Sequence, residues 1–393
     1  MSGFCPTSGG ACTLSDMRHI LVVKLADLGD VLTATPALRA LRNSFPGARI
    51  TALVTPHAAP LLQPSSAVDE VITFPKAAFD DFRSVLGPRS GPRSLAAALG
   101  LAARLRAGRF DALVLLHHLV TPVGALKYRA LARATDAPVR AGLDNGRGAF
   151  LTHRAADAGF GARHEVEYCL AVVEALGARA ERTPMEMSLS PFEADEAARR
   201  WQRLGLDPSD VAILHPGSGR YSLARRWSPE RFAAVGDALA SDGLRPVLVA
   251  GPGEEALARE VQQAMRSPSS TLSGLDVRAL AASMQGTRIF VGNDSGVMHL
   301  AAAVGTRVVA VFGLSNHRAW GPFPPEAHTV VRLPLPCSPC FYTGHGLGTP
   351  QGCASRACLT DLHAQLVIDA ARRAVRGEPD PAPVATGGEA SGA

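Results

Sequence analysis

The sequence predicts an α/β protein of two similar domains, and three observations carry that prediction. Its 393 residues exceed what one hydrophobic core ordinarily serves, since domains settle near about 100–200 residues. Short apolar runs suited to strands buried on both faces alternate with segments of helical spacing, the pattern of parallel βαβ units. The alternation also runs twice, interrupted by a stretch from Thr183 to Pro191 that reads as a linker.

Residues 1–17 read as a loose tail, and Ile20-Leu21-Val22-Val23 as the first strand. From Asp30 to Asn43, Val31, Leu32, Leu38 and Leu41 fall on helical spacing, ending before Pro46-Gly47. Strands follow at Ile50–Val54, Val71–Phe74 and Ala112–Leu116, with a helix at Leu95–Arg106. The stretch between Lys76 and Ser94 is rich in Gly, Pro, Ser and Arg and reads as a mobile loop. Glu165 to Leu176 is helical, with Val166, Leu170, Val173 and Leu176 along one face and Gly177 as its C-cap.

The second half reads strand Val211–Leu214, helix Pro229–Leu239 behind a Ser228 cap, strand Pro246–Ala250 and helix Glu254–Met265. Strand Arg288–Val291, helix Gly296–Val304 and strand Arg307–Phe312 complete the alternation. The expected organisation is a flexible tail (1–17), a first domain (18–183), a second domain (184–361), a C-terminal helix (362–377) and a disordered tail (378–393).

With 47% hydrophobic and 19% charged residues the chain has an ordinary globular composition. Met1 to Asp16 has neither a basic start nor an apolar run, and the longest apolar stretches fall short of the roughly 18 residues a spanning helix needs. A cytoplasmic chain is expected. The net charge of +5 is spread over many arginines, which suits a phosphorylated small molecule, an anionic glycolipid or a membrane surface. Aromatic residues make up only 5% and do not interleave with a basic stripe, which argues against nucleic acid. Lys127, Arg129, Arg133, Arg140, Arg147 and Arg154 are candidates to meet acceptor phosphates, most of them reading equally as a solvated face.

Seven cysteines, an odd number, argue against a disulfide framework in a chain of this size. Cys337, Cys340, Cys353 and Cys358 are spaced C-x2-C-x12-C-x4-C, which allows a tetrahedral zinc or iron site or four free thiols.

Four segments follow strands, where ligands of open α/β sheets bind. Lys24 to Asp30 sets Gly29 and an acid, Asp30, at a helix start, as a cap, a catalytic group or both. It is neither G-x-G-x-x-G nor a P-loop, which disfavours an oxidoreductase and an NTPase. His215-Pro216-Gly217-Ser218-Gly219 leads to Arg225-Arg226-Trp227, where glycines admit a ligand and an arginine fork reaches phosphate oxygens. Gly251-Pro252-Gly253-Glu254 offers an acid for a ribose hydroxyl, or simply a helix start. In Gly292 to His299, Asp294, Ser295 and Gly296 open an apolar helix whose first-turn N–H groups suit a diphosphate; His299 lies one turn in.

Taken in order, these segments resemble glycosyltransferase family 9, the heptosyltransferases of lipopolysaccharide core assembly. The likeness is carried by Ile20 to Lys24, Gly29-Asp30-Val31, Pro36-Ala37-Leu38, Pro216-Gly217, Arg226-Trp227, Pro229 to Phe232, Gly251 to Glu254 and Asn293 to Leu300, across roughly residues 18–375. It implies a GT-B architecture, two Rossmann-like domains facing each other across a cleft, the second holding the donor. It further implies an inverting transfer of heptose from ADP-heptose to a lipopolysaccharide core or other glycan acceptor, with no cofactor required and with peripheral association at the inner membrane. On matching positions, Asp30 stands for the general base, Asp294, Ser295, Gly296 and His299 for the diphosphate and sugar site, and Glu254 for a nucleoside contact. Where the family often has Lys, Arg225 stands; it is expected to stabilise the leaving group. The segment Cys337-Ser338-Pro339-Cys340 with Cys353 and Cys358 also resembles some members of the family, and for a few of these the resemblance implies a metal there. A non-catalytic nucleotide-sugar-binding protein of the same fold is the alternative.

Overall fold

Among the described residues the strands form two six-stranded sheets, each entirely parallel, and no strand of one half enters the sheet of the other. The computed structural model describes residues 17–74, 91–341 and 348–378. Contacts divide the chain between Thr183 and Pro184 into two compact units.

The first unit runs β1 (His19–Lys24), α1 (Leu28–Thr33), α2 (Thr35–Ser44), β2 (Arg49–Val54), β3 (Glu70–Thr73), α3 (Gly91–Ala107), β4 (Ala112–Leu115), α4 (Pro122–Thr135), β5 (Val139–Asp144), β6 (His153–Ala156) and α5 (Glu165–Ala175). The sheet order is β3-β2-β1-β4-β5-β6. Strand β1 lies at the centre because Ile20, Leu21, Val22 and Val23 are all buried, so both its faces need cover. Ile20 pairs with Ile50 on one side and Ala112 on the other. Helix α2 packs on α5, and α3 on α4. Right-handed crossovers that leave β1 and β4 in opposite directions put those two pairs on opposite faces.

The helix expected over Asp30–Asn43 is two helices, and it starts earlier, at Leu28. Pro36 causes the break: it has no N–H to give the Leu32 carbonyl, which accepts the Thr35 hydroxyl at 2.7 Å instead. Elements α4, β5 and β6 lie where no structure was anticipated. The loop expected between Lys76 and Ser94 falls largely on 75–90, outside the described residues, and α3 begins already at Gly91. The tails expected at 1–17 and 378–393 lie outside them too, apart from Met17 and Glu378.

The second unit adds α6 (Pro191–Leu204), β7 (Val211–His215), α7 (Pro229–Ser241), β8 (Arg245–Ala250), α8 (Glu255–Ala264), β9 (Ser270–Ser273) and α9 (Val277–Met284). It continues with β10 (Ile289–Asn293), α10 (Gly296–Ala303), β11 (Val308–Val311), α11 (His317–Trp320), β12 (Thr329–Val331), α12 (Ala357–Thr360) and α13 (Ala364–Arg376). Its sheet order is β12-β11-β10-β7-β8-β9. Trp227, Phe232, Leu214, Leu248 and Val309 form its core, which α13 closes with Val367, Ile368 and Ala371.

Each sheet thus grows from its first strand to one edge and then restarts beside that strand toward the other. The direction reverses between β1 and β4 and between β7 and β10, the places where the carboxyl ends of strands leave room for a ligand.

Candidate active site

In the second unit the β7–β10 switch point is lined by the loops that leave those two strands, and hydrogen bonds fasten the loops together. Asn293, the last residue of β10, donates its amide to the Pro216 carbonyl at 2.7 Å and accepts the Trp227 N–H at 3.2 Å. The buried Trp227 ring is itself fixed by its N–H on the Leu362 carbonyl at 3.0 Å. Arg225, at the end of the turn Leu223–Arg225, places one guanidinium nitrogen 3.2 Å from Asp294 and another 2.9 Å from the Ser218 carbonyl.

Ser295 caps α10 by accepting the Met298 N–H. The N–H groups of Gly296 and Val297, half-buried at the helix start, take no partner among the described residues. They are the orphan donors that every helix start presents, at the positive end of the dipole. His299 lies in the same first turn and is buried at 3% exposure.

Glu254, just before α8, is the hub. One carboxylate oxygen accepts the Ser218 N–H at 3.1 Å, the Gly219 N–H at 3.0 Å and the Arg226 guanidinium at 3.0 Å. The other meets His215 Nε2 at 3.3 Å and the Gly251 N–H at 3.4 Å. Burial alone would raise its pKa, but the His215 hydrogen bond and charge, the Gly219 N–H and the Arg226 cation outweigh it and hold the group at about 2. A carboxylate has about four lone-pair positions; here protein donors occupy them. His215 Nδ1 lies 3.4 Å from Ser295 Oγ, so one imidazole bridges Glu254 to the cap of α10. Gly217 lies tight against this hub: an added Cβ would stand 2.1 Å from the Glu254 carboxylate, which would have to shift.

In the first unit Gly29 and Asp30 sit in the first turn of α1, beyond the end of β1. The cap position belongs to Asp27, so Asp30 is not the cap. The positive end of a helix dipole favours an ionised acid. Instead, burial raises the Asp30 pKa to about 6 against the lowering charge of Lys24, with Glu165 and Asp27 adding to the rise. Lys24 is buried at 5% exposure; burial works against its charge, but Cys169, Asp30 and Glu165 raise its pKa overall.

Glu165 leads to a second buried group at the same sheet edge. His118, three residues past β4, places Nδ1 2.8 Å from Asp157 and Nε2 3.2 Å from Glu165. Burial disfavours its charge, yet the two carboxylates win and raise its pKa to about 9. Asn145 holds the other Asp157 oxygen at 3.1 Å, and Phe160 and Tyr168 pack their rings against the imidazole. The structure therefore joins Gly217, Ser218, Arg225, Glu254, Asp294 and Ser295 in one network and leaves Gly29 and Asp30 to the other unit. Sequence reasoning missed His118 and Asp157 and gave no role to Glu165 or His215; the His117-His118 doublet just beyond a strand was the available signal.

The metal site at the cysteine cluster is not supported. Among the described residues no three His, Cys, Asp or Glu side chains group so as to hold an ion. Cys358 is turned into the apolar core of the unit and Cys340 packs against that core, whereas Cys337 and Cys353 are exposed. The Cys353 sulfur accepts the Arg356 N–H at 3.3 Å.

Comparison with known proteins bears on the family and the fold. A family model described as glycosyltransferase family 9 (heptosyltransferase) matches residues 98–348. The chain is 27% identical over 307 residues to lipopolysaccharide heptosyltransferase 3 of Escherichia coli, covering 75% of this chain and 83% of that one. Its fold matches the glycosyl transferase family 9 structure from Veillonella parvula with a TM-score of 0.72 at 22% identity, over 92% of this chain and 98% of that one. It matches E. coli heptosyltransferase WaaC, solved with ADP, with a TM-score of 0.68 at 22% identity, over 91% and 99%. With two Rossmann-type parallel sheets, and with the family model spanning well over half of its length, the chain belongs to glycosyltransferase family 9, the heptosyltransferase family, and is a glycosyltransferase.

Proposed function

We propose that the protein transfers heptose from ADP-heptose, with inversion, onto an anionic glycan acceptor of the lipopolysaccharide core type. The observation that carries this reading is the second unit's β7–β10 switch point, where Arg225 pairs with Asp294, two residues ahead of the open N–H groups of Gly296 and Val297. A cation and two oriented dipoles at the end of one strand favour a diphosphate, and favour it more as negative charge grows on the departing group. The ADP in the WaaC structure and the heptosyltransferase names of the relatives support the choice of donor.

In this reading Arg225 draws off the charge of the leaving diphosphate. Ser218 and Gly217 shape the loop beside it, and Ser295 keeps the α10 N–H groups aimed. Asp30 takes the proton of the attacking hydroxyl. A carboxylate with a pKa near 6 is ionised at neutral pH and is more basic than an ordinary aspartate, which suits a general base. Glu254 acts by fastening the nucleotide loop, its own acceptors being engaged within the protein.

The test is a panel of ADP-, GDP-, UDP- and dTDP-sugars read by thermal shift and then by transfer to deacylated core oligosaccharide. ADP-heptose is expected to raise the melting temperature most and to be the one consumed, since a ligand that binds only the native state stabilises it by mass action. Stronger stabilisation and turnover with another nucleotide sugar would reject the donor, and binding of ADP-heptose without transfer would reject the acceptor class.

A further inference from the structure

Helices α3 and α4 pack against each other and send Leu105, Ala125 and Ala132 into the core of the first unit. Their opposite side departs from the usual polar face of a solvent-exposed helix. On α4, Val123, Leu126 and Ala130 follow i, i+3, i+7 spacing and all are exposed, Val123 at 65% and Leu126 at 64%. On α3, Ala96, Leu99, Ala103 and Ala107 form a parallel exposed line, with Leu99 at 62%.

Cations flank the apolar line of α4: Lys127 lies on one side, Arg129 and Arg133 on the other. Neither helix contains an Asp or Glu. Lys127, Arg129 and Arg133 make no ion pair among the described residues, whereas Arg104 and Arg106 of α3 are paired with Glu70 and Asp136.

We propose that this α3–α4 face docks on an anionic lipid membrane. An apolar strip edged by cations matches the boundary between acyl chains and headgroups: the strip enters, and the long basic side chains reach outward to phosphate. Negative headgroups supply the counter-charge that the described residues do not. A second copy of the chain fits less well, because a two-fold contact would set these unpaired cations against themselves. The inference extends the proposed glycolipid acceptor by naming the surface that brings the enzyme to it.

The experiment is co-sedimentation of the full chain, without any sugar, with vesicles of phosphatidylcholine alone or mixed with phosphatidylglycerol. Binding is expected only to the mixed vesicles and is expected to weaken as salt rises. The triple variant Lys127→Gln, Arg129→Gln, Arg133→Gln should lower the partition coefficient roughly 100-fold, about a factor of five per basic residue at an anionic surface. The pair Val123→Ser, Leu126→Ser should weaken binding while leaving its salt dependence. Circular dichroism checks that the variants fold, and the salt series on the unaltered chain needs no substitution. The proposal is overturned if the chain stays in the supernatant, if both variants bind as the parent does, or if the face proves to hold a dimer that the variants dissociate. A chain that binds vesicles yet transfers no heptose would reject the proposed function and leave this inference standing.

Discussion

Asp30 links residue chemistry to a pH profile. With its pKa raised to about 6, a required carboxylate is lost as pH falls through that value, so kcat/KM should decline below about pH 6. Asp30→Asn removes the charge and should reduce turnover by about 10²–10⁴-fold with donor affinity unchanged. A variant with near-normal turnover would exclude Asp30 as the base. His118 and Glu254 make opposite predictions for stability. The His118 pKa rises from 6.5 to about 9 on folding, so its contribution is full below about pH 6.5 and is lost as pH rises through about 9. His118→Gln removes the cation shared by two buried carboxylates and should cost about 3–5 kcal/mol in chemical denaturation at neutral pH. The Glu254 pKa falls from 4.5 to about 2, so its contribution is present above about 4.5 and is lost as pH drops through about 2. Glu254→Gln should therefore flatten melting temperature against pH in that acid window. At this scale the sequence was informative where a residue type and a strand end coincided, as at Asp30 and Asp294. It was silent on Glu165 and Asp157, because their importance lies in meeting His118, 47 and 39 residues away along the chain.

Among elements, the turn at Gly217 is the most exacting. Gly217→Ala would push a methyl group against the Glu254 carboxylate at 2.1 Å, and such overpacking typically costs about 1–3 kcal/mol. The expected result is weakened donor binding by calorimetry; unchanged affinity would show that the loop yields easily. Helix α13 is a second case. It buries Val367, Ile368, Ala370, Ala371 and Ala374, while the nearby Leu359 and Leu362 carbonyls hold Arg231. Removing residues from Ala364 onward should leave the second unit unable to melt cooperatively. Strands such as Val211–His215 were legible because every residue is buried and the apolar run is unbroken. Strands β5 (VRAGLD) and β6 (HRAA) were not, since charged residues interrupt the run. Helix α4 was missed for the reason that makes it interesting: its outer face is apolar too, which blurs the amphipathic period.

For the whole molecule, the expectation of an α/β chain built of two Rossmann-type halves holds, because alternation over hundreds of residues survives errors in single elements. The division of labour can be read by hydrogen exchange. ADP should slow exchange around Gly217–Gly219 and Asp294–Val297 in the second unit, and spread of protection through β1–β6 would count against a donor site confined to the second unit. The separate sheets also bear on biosynthesis. All six strands of the first sheet precede Pro184, and none waits for a partner from later in the chain. Parallel sheets fold slowly because their pairings are non-local, and domains emerging from the ribosome tend to fold in turn. The first sheet can therefore finish while the second is still being translated, so the slow search of one half never competes with the other. Ribosome-arrested chains stalled soon after Thr183 clears the exit tunnel should already resist protease across β1–β6.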